Sequence, residues 1–377
     1  MTTQSQRDAE PDDKPWTTRR LLRWIQSHLA EKDVDSPRVC AEFLVGFAIK
    51  SERLKLYMEP DRAATANELE VLRDLVARAG RHEPVQYLVG SWPFFGRTFE
   101  VAPCTLIPRP ATEGLVERAL AEVTSRGIHR PWRILDMCSG SGCIGVSIAA
   151  SLSALRAGRV SERIQRESPA ASPDQVDDAL PVIDLDQRPV EPNVSSGHTD
   201  PVAEEPPTAS GPFHLLATDI VQEALELTER NARLNGVSDL LECRRGSLFE
   251  PLTNQELEGF DLICSNPPYV TDAEYEKLDR NVLEYEPAIA LRGGVDGVDL
   301  IRPLLEQAPR WLAPGGLLLV EIGDSIHETV LDTAKQVDGL QEARILKDFE
   351  GLHRVLEVRS SQPARCDTVP RQHHQVL

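Results

Sequence analysis

The sequence has no long hydrophobic run. No window approaches the roughly 18 consecutive apolar residues that a membrane-spanning helix needs, so we expect no membrane partner. The start of the chain, MTTQSQRDAEPDDKPW, is polar and acidic and lacks the apolar core of a secretory signal. The 41% of hydrophobic and 27% of charged residues are typical of an ordinary globular protein. We therefore expect a cytoplasmic protein.

Paired cysteines and an excess of basic residues are also missing. The seven cysteines are odd in number, scattered and free of any CxxC pair, so neither a disulfide framework nor a zinc cluster is predicted. His373 and His374 offer only two ligands, which do not close a zinc site, and we predict no metal. The formal net charge is -19. Because nucleic-acid binding relies on clustered Lys and Arg, we expect no direct nucleic-acid partner.

The first part of the chain has a helical pattern. Between 17 and 84, apolar residues recur at helical spacing, which predicts a small helical domain. In its second helix, the shared apolar face is expected to consist of Val39, Phe43, Leu44 and Phe47. From 85 to 110, aromatic and β-branched residues are broken by Gly and Pro, which predicts a β-hairpin or extended connector.

Strand and helix patterns alternate from 111 to 359. This alternation predicts an α/β domain with a mostly parallel sheet. Two closing runs, ARILKD and HRVLEVR, lie close together and predict an antiparallel pair at one edge. Residues 157–212 hold nine of the 28 prolines together with many acidic residues, which predicts a disordered insertion, either a tolerated surface loop or an interaction segment. We expect 360–377 to be a flexible tail.

A glycine-bearing turn gives the first chemical signal. ILDMCSGSGCIGVSIA, residues 134–149, has the pattern of a strand, a turn and a helix in which Gly140 and Gly142 let the backbone approach a ligand. The turn matches neither the G-x-G-x-x-G fingerprint nor a P-loop. Asp136 and Asp219 end neighbouring strands and suit a ligand with a ribose and a positive charge, such as S-adenosylmethionine (SAM). Either Asp alone can instead be a helix cap.

The quartet Asn266, Pro267, Pro268 and Tyr269 follows the apolar run FDLICS. Two prolines remove two N–H donors and fix two φ angles, so the loop is stiff and rich in acceptors, and Tyr269 adds a flat face. Two acceptors can hold the hydrogens of a conjugated amino group and aim its lone pair at a methyl sulfonium, without a strong base. Glutamine amide nitrogen and the exocyclic nitrogens of adenine and cytosine all fit this chemistry. The alternative is a rigid strand-to-helix turn.

Several segments, in this order, resemble the HemK-like protein-glutamine N5-methyltransferases and, within them, the release factor glutamine methyltransferases. They are EPVQYLVG, FEVAPCTLIPRPATEGLVE, ILDMCSGSGCIGVSIA, RNARLNG, SNPPYV, EYEPAIALRGGVDGVDLIRPLLEQAP and GGLLLVEIG. The likeness covers about 20–150 and 212–359. It implies a small helical substrate-binding domain joined by a β-hairpin to a seven-stranded, Rossmann-like SAM-dependent methyltransferase domain.

The resemblance also implies a reaction, the transfer of a methyl group from SAM to the N5 amide of the glutamine in the GGQ motif of peptide chain release factors. The SAM loop falls on Cys138, Ser139, Gly140, Ser141 and Gly142, the ribose acid on Asp219 and the adenine side near Leu248. We expect Asp136 and Asn266 to complete the cofactor site. The substrate quartet falls on Asn266, Pro267, Pro268 and Tyr269, with Asn266, Pro267 and Tyr269 as catalytic residues.

Departures from the family pattern keep alternatives open. Ser247 stands where the family often has Asp, and Ala111 where Glu is usual. DMCSGSGC and SWPFFG resemble the sister branch that methylates a glutamine of a large-subunit ribosomal protein, whereas the N-terminal helices and FEGLHRVLEV favour the release-factor branch. A nucleic-acid amino-methyltransferase shares the quartet's chemistry. A SAM-binding module without catalysis is the remaining alternative.

Overall fold

The computed structural model describes residues 15–158 and 213–361. The chain divides into two compact units, one of Met1–Gly90 with Asp279–Tyr285 and one of Ser91–Leu278 with Glu286–Leu377. The boundaries expected at 84, 110 and 359 stay predictions. The expected insertion at 157–212 and tail at 360–377 fall almost entirely outside the described residues, as do His373 and His374.

Helices and strands follow one another in the described residues. The helices are α1 (Thr18–Ala30), α2 (Pro37–Ile49), α3 (Arg53–Met58), α4 (Ala66–Ala79), α5 (Val85–Val89), α6 (Pro110–Arg126), α7 (Cys143–Arg156), α8 (Gln222–Leu234), α9 (Asp272–Tyr275), α10 (Arg280–Tyr285), α11 (Ile301–Trp311) and α12 (His327–Lys335). The strands are β1 (Ser91–Phe94), β2 (Arg97–Glu100), β3 (Trp132–Met137), β4 (Phe213–Asp219), β5 (Leu241–Arg245), β6 (Phe260–Ser265), β7 (Val270–Thr271), β8 (Arg292–Gly294), β9 (Leu312–Glu321), β10 (Leu340–Lys347) and β11 (His353–Ser360). None of these helices is both long and apolar enough to cross a membrane.

The first unit is helical, consisting of α1–α5 and α10. α4 begins with a capping box in which the Thr65 hydroxyl accepts from the Glu68 backbone N–H and the Glu68 carboxylate accepts from that of Thr65. The face expected for α2 is wrong except at Leu44. Its buried residues include Cys40, Ala41, Leu44, Val45 and Ile49, whereas Phe47 is 48% exposed. Because α2 is apolar around most of its circumference, spacing alone does not select the buried face.

The connector expected over 85–110 is only partly extended. Val85–Val89 form α5, which ends at Gly90 in a left-handed conformation, so the extended interpretation is wrong for that part. The hairpin is confirmed in β1 and β2, which pair antiparallel. Its two turn residues, Phe95 and Gly96, both have positive φ, as a two-residue turn matching the twist of the strands requires.

A seven-stranded sheet forms the centre of the second unit, in the order β10-β11-β9-β6-β3-β4-β5. β3 pairs parallel with β4 on one side and with β6 on the other. β11 runs antiparallel to both β9 and β10, which confirms the expected antiparallel edge pair. β4 follows β3 along the chain and lies on one side of it, whereas the later strand β6 lies on the other side. The carboxyl ends of β3, β4 and β6 therefore meet at one edge of the sheet. The predicted fold class is confirmed.

Both faces of this sheet are buried. Successive residues of a strand point to opposite faces, and Ile134 and Leu135 of β3 accordingly belong to two different apolar clusters. The first cluster includes residues of α6 and α7, and the second includes residues of α11 and α12. Since side chains within the sheet are covered on both faces, polar groups for ligand binding are expected at the strand ends.

The crossover from β3 to β4 is where the undescribed segment 159–212 is attached. β3 and β4 start at the same level, with Trp132 paired to Phe213. α7 begins at the carboxyl-end edge of β3 and leads back toward the amino-end edge, where β4 begins. Both attachment points, Gly158 and Phe213, therefore belong to the edge opposite the carboxyl ends.

Buried ion pairs fasten α6 to β11. The Glu122 side chain is 3% exposed and accepts from both terminal nitrogens of Arg359 at 2.7 Å. Arg118 donates to Glu122 at 3.2 Å and also pairs with Glu357. A carboxylate is tolerated here because each oxygen has a guanidinium partner.

We expect Glu122→Ala to lower the free energy of unfolding by about 3–5 kcal/mol, because it removes the buried carboxylate shared by the largely buried Arg118 and Arg359. Urea unfolding measures this change. Asp332→Ala is the control, since its pair with Lys335 is 73% and 57% exposed, and it should change stability by about 0.5 kcal/mol or less. Equal effects of the two variants would contradict a dominant role for the buried network.

Candidate functional site

A cavity opens at the carboxyl-end edge of the sheet in the second unit. Its empty space is about 980 Å³ with the open mouth included, within the size range of small-molecule sites. Of the residues expected from sequence, those in its wall are Cys138, Ser139, Gly140, Ser141, Asp219, Leu248, Asn266 and Pro268. The structure thus brings together the turn after β3, the end of β4 and the loop after β6. Asp136, Gly142, Pro267 and Tyr269 are not wall residues.

The turn after β3 is held by side chains from α8. Asn231 is fully buried and donates through Nδ2 to the Ser141 carbonyl at 2.8 Å and to the Glu100 carbonyl at 3.0 Å. The Thr228 hydroxyl donates to the Gly140 carbonyl at 3.0 Å. Gly142 has φ +75°, and a Cβ there would lie 2.7 Å from the Thr228 methyl carbon. The turn therefore requires glycine for both conformation and space.

Asp219 joins the turn to the end of β4. Its two carboxylate oxygens accept from the backbone N–H groups of Gly140 and Val221, each at 2.9 Å. Burial raises the pKa of this carboxyl, and the backbone N–H bonds oppose the rise. A carboxylate oxygen has more than one lone-pair site, so Asp219 can still accept from ligand hydroxyls in the cavity.

Asp136 lies beneath the turn. It is fully buried, and its Oδ2 accepts from the Gly145 backbone N–H in the first turn of α7 at 2.8 Å. Burial raises the pKa of Asp136 to about 7, and the negative charge of Asp219 adds to the rise. Asp136 therefore anchors the start of α7 and sets the charge below the cavity floor rather than forming the wall.

Two buried hydroxyls in the cavity wall have no hydrogen-bond partner among the described residues, Ser139 Oγ and Thr218 Oγ1. Buried polar atoms are nearly always hydrogen-bonded in folded proteins, and exceptions are typical of functional sites. Both hydroxyls therefore suit a ligand that offers several polar groups.

The loop after β6 places its four residues differently. Asn266 is half-buried in the wall, and its Nδ2 donates to the Thr112 hydroxyl at 3.4 Å. Pro267 and Pro268 are buried. The Tyr269 hydroxyl donates to Glu321 Oε1 at 3.3 Å, and burial, followed by the Glu321 charge, raises the pKa of Tyr269. The tyrosine ring is thereby held in the protein.

Glycines of the segment around β8 pack on this loop. A Cβ at Gly293 would lie 2.8 Å from Tyr269 Cα, and one at Gly297 would lie 2.6 Å from the Tyr269 carbonyl oxygen. β8 also pairs with β7 directly after the quartet. The loop is therefore stiffened by close backbone packing as well as by its prolines.

Sequence reasoning missed three polar side chains of this region. Thr112 is a wall residue and contacts Asn266. Glu286 is buried, accepts from the Ile107 backbone N–H at 3.1 Å and pairs with Arg109, so it fixes a wall segment. Glu321 is buried behind Tyr269. All three lie in segments that carry the family resemblance, which was the available signal, but no local pattern assigns them a role.

Asp324, His327 and His353 form the group with metal-ligand spacing among the described residues. The two imidazole rings stack with centroids 3.8 Å apart and planes 10° apart. An ion shared between parallel rings lies out of both ring planes, where the nitrogen lone pairs do not point. The Asp324 carboxylate also accepts from the His353 backbone N–H at 2.8 Å, so the group is better explained as an anchor for the start of β11.

The second unit has the seven-stranded sheet and the switch-point cavity that are expected of a methyltransferase domain. Residues 20–90 match a family model described as the PrmC N-terminal domain. A relative from Geobacter sulfurreducens, named release factor glutamine methyltransferase, is 36% identical over 90% of this chain and 96% of its own. Relatives of the same name from Rhodopirellula baltica and Koribacter versatilis are 30% and 32% identical, over 93% and 87% of this chain and 98% and 93% of theirs. The chain belongs to the release factor glutamine methyltransferase family.

We expect Gly142→Ala to lower the free energy of unfolding by about 2–5 kcal/mol, the sum of left-handed strain and overpacking against Thr228. Gly236→Ala is a matched control, because Gly236 has φ +70° and nothing within 4 Å of a Cβ. Gly236→Ala should lower the free energy of unfolding only by the cost of the left-handed backbone conformation, about 1–2 kcal/mol. Urea unfolding of both variants measures the difference, and equal losses would exclude the steric role of Thr228.

The pKa of Asp136 predicts a pH effect on stability. It rises from an ordinary 3.8 to about 7 on folding, so the folded protein binds the proton more tightly and its free energy of unfolding falls as the pH rises through this interval. Asp136→Asn keeps an oxygen for the Gly145 N–H and removes the titration. Urea unfolding should show that the free energy of unfolding of the variant increases relative to that of the wild type between about pH 5 and about pH 8. Parallel pH profiles would contradict the raised pKa.

Proposed function

We propose that this enzyme transfers a methyl group from SAM to the side-chain amide nitrogen of the glutamine in the GGQ motif of a peptide chain release factor. The observation that supports this most is the presence of Asn266 in the same cavity wall as the glycine turn and Asp219. The relatives over nearly the whole chain are named for glutamine methylation of release factors. The net charge of -19 disfavours a nucleic-acid substrate.

The residues of the cavity fit SAM. Asp219 would accept from ribose hydroxyls, the backbone from Cys138 to Ser141 would hold the amino-acid end, and Leu248 would lie on the adenine side. The unpartnered hydroxyls of Ser139 and Thr218 offer donors and acceptors for the ligand. Bound SAM supplies an electrophilic methyl group on a sulfonium. The Asp136 carboxylate beneath the turn favours a positively charged ligand and becomes ionised more readily beside one.

The quartet prepares the glutamine amide. The Asn266 side-chain oxygen and the Pro267 carbonyl accept the two amide hydrogens, which turns the nitrogen lone pair toward the methyl group. These acceptors also stabilise the positive charge that grows on nitrogen. Because alignment and electrostatics carry the transfer, no strong base is needed. The nitrogen–methyl bond forms as the methyl–sulfur bond breaks, S-adenosylhomocysteine leaves, and the nitrogen then loses its extra proton to solvent. Tyr269, held by Glu321, stiffens the loop, and its packing on the plane of the substrate amide stays a prediction.

Asn266→Ala should remove most methyl transfer, by roughly 100-fold or more, and leave SAM binding largely unchanged, because it deletes an acceptor that acts on the substrate amide. Turnover with a bacterial release factor and calorimetric SAM titration measure the two properties. Asn254→Ala, at an exposed position, is the control and should retain activity. Unchanged turnover in Asn266→Ala would overturn the proposed mechanism.

Mass spectrometry identifies the substrate. The wild-type enzyme is incubated with SAM and either a bacterial release factor, a large-subunit ribosomal protein preparation or DNA, and the products are digested. We expect a gain of one methyl group on the GGQ-containing peptide of the release factor. Methylation of the ribosomal proteins or of DNA, with an unmodified release factor, would overturn the proposed substrate.

A further inference from the structure

The proposed chemistry leaves one buried carboxylate beside the quartet unused. Glu321 ends β9, next to β6, and is 1% exposed. Its Oε1 accepts from the Tyr269 hydroxyl at 3.3 Å. Its Oε2 is buried and has no partner in hydrogen-bonding geometry among the described residues. Since an under-satisfied buried carboxylate is costly, its presence at this point calls for a role.

The surroundings of Glu321 consist of donors. Burial raises the pKa of Glu321, while hydrogen bonding by Thr112, Tyr269 and Asn266 and the charge of Arg354 oppose the rise. The parallel register of β6 and β9 pairs Ser265 with Val320, so the next residues of the two segments, Asn266 and Glu321, lie side by side. Thr112 in turn accepts from Asn266 Nδ2 at 3.4 Å. Glu321, Thr112 and Asn266 therefore form one polar cluster, in which Thr112 and Asn266 belong to the cavity wall and Glu321 lies behind them.

We propose that Glu321 is a positioning residue that fixes the orientation of the Asn266 side-chain amide. This inference rests on the proposed function, in which the Asn266 oxygen must face the substrate. An ionised carboxylate accepts hydrogen bonds and does not donate them, whereas a hydroxyl does both. A side-chain amide has an accepting oxygen on one side and a donating NH2 group on the other. With Glu321 accepting, the Thr112 hydrogen points toward Glu321 and its lone pairs are left for Asn266.

Only the amino half of Asn266 can then face the cluster. The Nδ2 hydrogens then face the Thr112 oxygen and the accepting Glu321 carboxyl, and Oδ1 is left on the cavity side. The flipped amide would set its oxygen against acceptors and offer N–H groups to the hydrogens of the substrate amide. Glu321 thereby imposes a direction on a side chain whose two orientations have nearly the same shape.

Glu321→Gln tests this polarity, because it keeps the shape and adds a donor. With a release factor as substrate, kcat should fall roughly 10- to 100-fold, while KM for the release factor and the Kd for SAM change little. Thr112→Val should lower kcat similarly, and combining the two should add little, because both act through Asn266. Glu357→Gln is the matched control, a buried carboxylate on β11 that pairs with Arg118 and Arg344. It should lower the melting temperature and retain kcat.

A polarity swap separates positioning from a merely structural role. Asn266→Asp keeps an acceptor toward the substrate but sets a second carboxylate against Glu321, so it should be nearly inactive. In the double variant Asn266→Asp, Glu321→Gln, the new amide donates to Thr112, and the Thr112 hydroxyl then donates to the new carboxylate. We expect kcat to recover roughly tenfold or more over Asn266→Asp alone. No recovery, or a wild-type kcat in Glu321→Gln, would overturn the proposal.

A measurement without substrate distinguishes this inference from the proposed function. Full-length protein labelled with ¹⁵N at Asn side chains reports hydrogen exchange at Asn266 Nδ2, assigned by the loss of its signal in Asn266→Ala. Exchange should be slow in the wild type and in Glu357→Gln and faster in Glu321→Gln. Equal exchange in all three overturns the role of Glu321. A wild type that methylates no release factor overturns the proposed function, and the exchange comparison still decides the role of Glu321.

Discussion

The second unit depends on the burial of a parallel sheet on both faces. Side chains within β3, β4 and β6 alternate between two apolar clusters, and backbone groups within the sheet are used by its ladders. Polar groups for a ligand are therefore available mainly where the strands end. Because β4 and β6 lie on opposite sides of β3, the carboxyl ends of these three strands meet at one place, and the cavity lies there.

A cavity built from distant segments needs ties that are independent of the sheet. Asn231 joins the turn after β3 to the Glu100 backbone of the hairpin, and Glu286 joins the segment before β8 to residues 107 and 109. Each of these contacts is made by a buried side chain that forms hydrogen bonds with backbone N–H or C=O groups outside the sheet. Such bonds are costly to leave unmade, so they give irregular segments one preferred placement.

Local patterns predicted the fold in most respects. The apolar run FDLICS has the bounds of β6, because short apolar runs bounded by turn residues have few other solutions. The capping box of α4 corresponds to a local sequence signal, the spacing of Thr65 and Glu68. The buried face of α2 could not be predicted from spacing, because that helix is apolar on several sides. The helix α5 could not be predicted either, because five residues are too few to show a helical period.

The candidate site divides in the same manner. The glycine turn, Asp219 and Asn266 are each recognisable from the residues next to them in the sequence, and they line the same cavity. Thr112 and Glu321 are separated from Asn266 by 154 and 55 positions, counted along the printed chain, and only the fold brings them together. The tyrosine offered a flat face in the sequence, whereas the structure shows its hydroxyl committed to Glu321. Long-range partners decide such cases, and a local pattern does not contain them.

The attachment points of 159–212 have a consequence for how this domain can vary. Gly158 and Phe213 belong to the edge of the sheet opposite the cavity, and they join a helix end to a strand start. Added length at that junction costs only the closure entropy of a longer loop, which grows slowly with length. It lengthens no segment of the cavity wall. The length of the chain between α7 and β4 is therefore independent of the geometry that the cavity at the other edge requires.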